Sequence, residues 1–297
     1  MRPVAVFRFS LVLLLAADAW AASNFDGVAW CDGPVRIVVD TSGVGSNGDA
    51  ASVLAQGVAD AASRWNRALR LPLFEISFLP PTEPERLGDG VSSIRFSTTI
   101  SPTRGFAGQF GFTDTLRARK GRLVESDLIL NPAWDWFSYR GPLRYDTDGN
   151  RVPDVYRVTL HELGHLLGLG HPASDATWTV MRSRMSDVDD LTPSDLRDAV
   201  RIKDRLLEKN APRVAGVHSV STSARSWKVR GTGRPFFVRK AAIKLTSAGG
   251  TRRVALRIGA VWSRHVRLEP GVNWLRFYRR SAEGEPVLFA VRRIDAR

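Results

Sequence analysis

Residues 160–172 read LHELGHLLGLGHP. His161 and His165 stand four apart, so on a helix both imidazoles project from one face. Glu162 follows the first of them, where a carboxylate can reach a water bound to a metal held by that face. Gly168 ends the helix and permits a sharp turn, which brings His171 back as a third nitrogen. Three neutral imidazoles leave a tetrahedral zinc one open position, the mark of a catalytic rather than a structural site. The expected cofactor is therefore one catalytic Zn2+ per chain. Zinc lowers the pKa of its water from about 9 toward about 7. Glu162 would take that proton and pass it to a leaving amine, while the ion stabilises the oxyanion of the intermediate. At this chain's composition the five fixed positions would recur by chance in roughly a few chains per million.

Working outward, the motif helix is predicted over residues 154–167. Upstream, PVRIVVD at 34–40 reads as a strand. A helix follows over 49–71, whose Leu54, Val58, Ala61, Trp65 and Leu69 recur at three- and four-residue steps. Strands are expected at 73–79, 91–97 and 126–131, with an edge strand at 105–112. Downstream, Thr192 can cap a third helix, with Pro193 at its first position and Asp195 in its first turn. After residue 210 the pattern changes to short strands (227–230, 236–245, 252–258, 265–268, 273–278, 286–294) separated by Gly and Pro turns. The fold class is α+β, with residues 22–210 followed by a small all-β, sandwich-like domain over 211–297.

The string His161-Glu162-x-x-His165-x-x-Gly168-x-x-His171 resembles the signature of metzincin zinc peptidases. The run at 127–131, the motif helix and the Leu191-Thr-Pro-Ser-Asp195 helix start are most similar to a bacterial matrixin. The resemblance implies a mixed twisted sheet with three helices and zinc-dependent endopeptidase activity on a protein or peptide substrate. It also implies a methionine turn beneath the metal at Met181, with Met185 as the competing position. An extended substrate would pair with the edge strand at 105–112. The segment after Met181, including Arg182 and Ser183, would wall the pocket beyond the scissile bond, where Arg182 either selects acidic side chains or is simply solvated. Pro172 departs toward serralysins, whose glycine-rich calcium repeats are absent. No tyrosine stands two residues after Met181, which removes a tyrosine ligand. The only other histidines, His218 and His265, lie in the second half, so the structural zinc of animal matrixins has no ligands.

A second metal pattern precedes the motif helix. Asp146, Asp148, Asn150 and Asp154, with the carbonyl of Val152, put oxygen donors at alternate positions, which suits Ca2+. An Asx-rich turn leading to a helix cap gives the same spacing, and the two readings stay open.

The chain's ends carry different signals. Residues 1–21 have Arg2 and Arg8, an apolar run and small-residue sites such as Ala19-Trp20-Ala21, the layout of a signal peptide; the expected location is extracellular or periplasmic. No later stretch is apolar enough for a membrane span. Cys31 is the only cysteine, so no internal disulfide is expected. Its surroundings lack the Pro-Arg of the matrixin cysteine switch. Residues 211–297 hold 19 Lys or Arg against 4 Asp or Glu, a net of +15, whereas residues 22–210 come to −3. Alternation along the strands turns those charges outward. The face either holds an anionic surface polymer or is merely solvated, and no basic-aromatic nucleic-acid signature is present. A monomeric secreted endopeptidase is the first functional reading. The alternative is a secreted binding or adhesion protein on a catalytically weak scaffold, and an intact Glu162 favours the first.

Overall fold

The computed structural model describes residues 29–30, 33–41, 48–78, 90–98, 105–106, 108–118, 122–174, 176–216 and 218–297. The signal-like segment and Cys31 lie outside the described residues. The architecture is α+β, with three helices and three sheets among the described residues.

The first sheet contains β1 (Ala29–Trp30), β2 (Val35–Val39), β3 (Phe74–Phe78), β4 (Ser92–Phe96), β5 (Gly111–Ala118) and β6 (Arg122–Leu130). Its order is β1-β6-β4-β2-β3, all pairs parallel, and β5 joins β6 antiparallel. Because β5 pairs along the whole length of β6, it forms the outer edge of the sheet. Helix α1 (Gly48–Leu69) buries the predicted face: Leu54, Val58, Ala61, Trp65 and Leu69 are all fully buried. The Trp65 indole donates to the carbonyl of Leu160 at 2.9 Å, fastening α1 to α2 (Val155–Leu166). The Asn66 amide both donates to the carbonyl and accepts from the N–H of Phe74, fixing the turn from α1 into β3.

Two strands differ from expectation for identifiable reasons. Residues 105–106 and 108–110 are loop rather than strand: Gly108 sits at φ +83°, and Gln109 N–H donates to the carbonyl of Phe106. The edge strand instead runs from Gly111 to Ala118. Strand β6, expected over 126–131, begins at Arg122. Its residues Glu125, Ser126 and Asp127 are buried polar groups. They are satisfied laterally: Gly90 N–H donates to Glu125, and the Ser93 amide and hydroxyl donate to Asp127.

Burial pushes the Asp127 carboxyl up to about 6, against the lowering effect of the Ser93 hydroxyl. The unfolded chain, with an ordinary value near about 3.9, therefore holds its proton less tightly than the fold does. The cost of ionising Asp127 in the fold is complete above about pH 6 and disappears as pH falls toward about 4. Asp127→Asn removes this dependence. The stability gap between wild type and variant should shift in favour of wild type by about 2 kcal/mol between pH 7 and pH 4. Urea unfolding at both pH values reads it; a pH-independent gap would show that Asp127 is not held at a raised pKa.

Helix α3 (Pro193–Lys209) opens on a capping box between Thr192 and Asp195 and packs against α1. The chain then enters two further sheets. One has the order β11-β10-β13-β14-β8, from β11 (Gly250–Arg257), β10 (Lys240–Ser247), β13 (Gly271–Arg280), β14 (Pro286–Ala296) and β8 (Ser219–Thr222). The other is β12-β9-β7, from β12 (Val261–Arg267), β9 (Ser226–Thr232) and β7 (Arg213–Val214). Val229, Trp262 and Val266 of the smaller sheet share a core with Ile243, Leu245, Leu256, Leu275 and Phe277 of the larger. The strand expected at 236–245 starts only at Lys240, because Pro235 opens a turn in which Phe237 and Val238 donate to the carbonyl of Arg234. The two halves are not separate cores. Their buried residues form one continuous apolar cluster, and Ala282 N–H donates to Asp204 of α3 at 2.8 Å.

Candidate metal centre

Helix α2 carries His161, Glu162 and His165, and its N-terminus is held by Asp154. The Asp154 carboxylate accepts from the N–H groups of Tyr156 and Tyr139 and forms a fully buried ion pair with Arg157 at 2.9 Å. The helix ends at Leu166, and Gly168 takes φ +91°, a conformation that only glycine adopts without strain. The chain then doubles back. His171 Nε2 comes to 3.3 Å from His161 Nε2, and His165 Nε2 lies 3.0 Å from the same atom. Zinc–nitrogen bonds of about 2.0–2.1 Å at tetrahedral angles separate ligand nitrogens by about 3.3 Å.

Hydrogen bonding on the far side of the rings decides their chemistry. His161 Nδ1 lies 2.8 Å from the carbonyl of Val180, and His165 Nδ1 lies 2.7 Å from the carbonyl of Leu169. A carbonyl can only accept, so each Nδ1 carries the hydrogen and each Nε2 turns a lone pair toward its neighbours. Lone pairs at 3.0 Å repel unless a cation sits among them. Burial, then the neighbouring His165, push the His161 imidazole well below its usual pKa, which keeps it a neutral ligand. The residues thus fit a nitrogen-ligated metal of the zinc class. Among the described residues, these three histidines are the group whose ligand atoms lie close enough together to hold a metal ion.

Met181 is fully buried against the underside of α2. A Cβ on Gly164 would stand 2.3 Å from Met181 Sδ, so the glycine permits the close approach. Val180, whose carbonyl orients His161, is fixed in turn by Asp195. That carboxylate accepts from the Val180 N–H at 3.2 Å, the Thr179 hydroxyl, and both the amide and the hydroxyl of Thr192. Asp195 has no exposure at all. Sequence reading gave it only a first-turn role in α3; its link to the metal side of the fold spans a loop that no local pattern reveals. Met185 packs only partly buried beside the same core.

Glu162 is nearly buried, and burial raises its pKa while His165 and Thr113 oppose the rise. The Thr113 hydroxyl donates to Glu162 Oε2 at 2.5 Å. Thr113 lies on β5, so the sheet edge passes directly over this carboxylate. Removing that hydroxyl leaves the carboxylate free to rotate. If Glu162 serves as the base of a peptidase, Thr113→Val should lower kcat by about tenfold with KM little changed, the magnitude expected of one hydrogen bond to a charged group. Thr113→Ser should restore it. Equal losses in both variants would show a packing role instead.

The oxygen-rich loop behaves differently from the histidines. Asp146 Oδ1 accepts from the N–H groups of Asp148 and Asn150, and its Oδ2 accepts from the Asn150 side chain. The Val152 carbonyl accepts from the Tyr139 hydroxyl at 2.9 Å, and Asp154 is engaged at the helix cap. The structure brings Asp146, Asp148 and Asn150 together in an Asx turn, while Val152 and Asp154 also have hydrogen-bond partners outside it. Arg182 is half-buried and Ser183 exposed, immediately after the methionine.

No protein-family model matches the chain, and no curated protein matches it. Its chemistry is therefore argued from its own side chains.

Proposed function

We propose that this chain is a zinc-dependent endopeptidase of the metzincin type, most like a bacterial matrixin. The observation that carries the reading is the convergence of three Nε2 atoms, those of His161 and His165 on rings whose Nδ1 is tied to a carbonyl, beside a buried carboxylate. His161, His165 and His171 would hold the metal. Zinc, when bound, supplies an electrophile for a peptide carbonyl and makes water acidic enough to attack at neutral pH.

The remaining steps belong to the protein. Glu162 takes a proton at its carboxylate during attack and returns it to the departing amine, the work of a general base and then a general acid. Its burial raises the proton affinity of the carboxylate, which suits it to accept that proton. Thr113 fixes the rotamer, so the receiving oxygen is in place before substrate arrives. Among the described residues no second strand pairs with β5, and an extended peptide would add there to the sheet as a further strand over Glu162. A linear polypeptide fits such an edge better than a folded one. The leader-like residues 1–21 support export, and no helix among the described residues is long and apolar enough to cross a membrane.

The test is cleavage of a broad peptide library by zinc-supplied protein, with and without a chelator. Chelator-sensitive cuts at internal bonds are expected. No cleavage by metal-loaded protein would overturn the peptidase reading and favour a binding protein.

A further inference from the structure

The register of the five-stranded sheet places like charges in line. Lys244 of β10 stands opposite Arg253 of β11 on one side and Arg276 of β13 on the other. Directly opposed side chains have Cβ atoms about 4.5–5.5 Å apart, and like charges so placed are destabilising. One step along, Thr246 faces Trp274, and Trp274 faces Arg293 of β14. At the far end Lys240 opposes Arg257. Strands β11, β10 and β13 contain no Asp or Glu. Among the described residues, none of these cations takes part in an ion pair, although Arg and Asp pair freely in the first half of the chain. Lys244, Arg253 and Arg293 are exposed, and so is Trp274, 38% of whose surface is open; the Arg276 guanidinium lies over its ring at 5.8 Å.

We infer that this face is a docking surface for an anionic polysaccharide, with carboxylate or sulfate groups along an extended sugar backbone. The line Arg253–Lys244–Arg276 supplies a row of cations one strand apart, which matches a chain bearing repeated anions and relieves the repulsion within the row. Trp274 at the border of the row offers an aromatic face to a sugar ring. The surface between is low and hydroxyl-bearing: Ala242 opposes Ala255, and the Thr246 and Thr251 hydroxyls lie 3.3 Å apart. Two other polyanions fit less well. A single-stranded nucleic acid needs successive aromatic platforms for its bases, and the row has one. An anionic membrane rewards apolar projections that insert, and Ala and Thr supply none. The inference is independent of the metal centre, since neither the histidines nor Glu162 enters it.

Binding of the full chain to heparin and to polygalacturonate, followed across salt concentrations, tests it. Affinity should fall as salt rises. The double variant Lys244→Glu with Arg276→Glu should bind about tenfold more weakly or worse, and Trp274→Ala several-fold more weakly. A control with the same charge change on the smaller sheet, Lys228→Glu with Arg230→Glu, should bind nearly as wild type; both are exposed on β9. Glutamine replacements at Lys244 and Arg276, with unchanged thermal midpoints, guard against misfolding. Either polysaccharide should also raise the wild-type melting temperature more than that of the double variant. Equal losses from both charge-reversal pairs, no polysaccharide binding at low salt, or tighter binding to single-stranded DNA or phosphatidylserine vesicles at the same ionic strength would overturn the inference.

Discussion

Glu162→Gln should abolish peptide cleavage, lowering kcat/KM by about 10³–10⁴, while zinc stoichiometry stays at that of the wild type. The magnitude is that of removing a positioned general acid–base from the reaction. Metal retention follows from the ligand set, because the three imidazoles and the carbonyls of Val180 and Leu169 that orient two of them are untouched. The fold should tolerate the change. Burial disfavours the charged form of Glu162, and a glutamine oxygen can still accept from Thr113. The thermal midpoint should therefore not fall. Elemental analysis, a melting curve and library cleavage together separate the roles. A variant that keeps more than about a tenth of wild-type activity would exclude Glu162 as the proton acceptor, and one that loses its metal would make it a ligand rather than a base.

The elements legible in the sequence were those governed by local periodicity. The face of α1 is defined by a three- and four-residue recurrence, and the cap of α3 by Thr192, Pro193 and Asp195; both stand where those patterns point. The approach of His171 to His161 follows from one glycine, since Gly168 at positive φ is what reverses the chain. What stayed hidden depends on distant partners. Thr113 reaches Glu162 from a strand 49 residues earlier, behind a loop where glycine and phenylalanine alternate in a false strand pattern. Glu125, Ser126 and Asp127 are polar, yet they are buried, with residues on neighbouring segments as partners. At 146–154 the spacing of the aspartates likewise hides the contacts of Asp154 with Arg157 and two amides, which only the folded chain makes.

Asp195→Ala should be the most damaging single change to stability, at about 3–5 kcal/mol, and it should also weaken zinc binding by about 10–100-fold. The carboxylate is wholly buried and accepts from four donors on two segments, the turn at 179–180 and the start of α3. Alanine leaves those donors without acceptors in a site closed to water, and an unmet buried donor costs about 1–3 kcal/mol. It also removes the capping box of α3. Metal affinity is affected through Val180: its N–H is bound by Asp195 and its carbonyl receives the His161 Nδ1 hydrogen, so releasing the peptide unit releases the ring. Asparagine separates shape from acceptor capacity. One carboxylate oxygen serves Thr179, while the other serves the Val180 amide and both groups of Thr192. Turned with its NH₂ toward the Thr179 hydroxyl, which can accept, an asparagine keeps its oxygen for the Val180 amide and both groups of Thr192. Asp195→Asn should therefore lose much less than alanine. Urea unfolding and zinc competition titration would measure both effects. If alanine is as stable as wild type, the site is held by packing, and the proposed line from Asp195 through Val180 to the metal ligand fails.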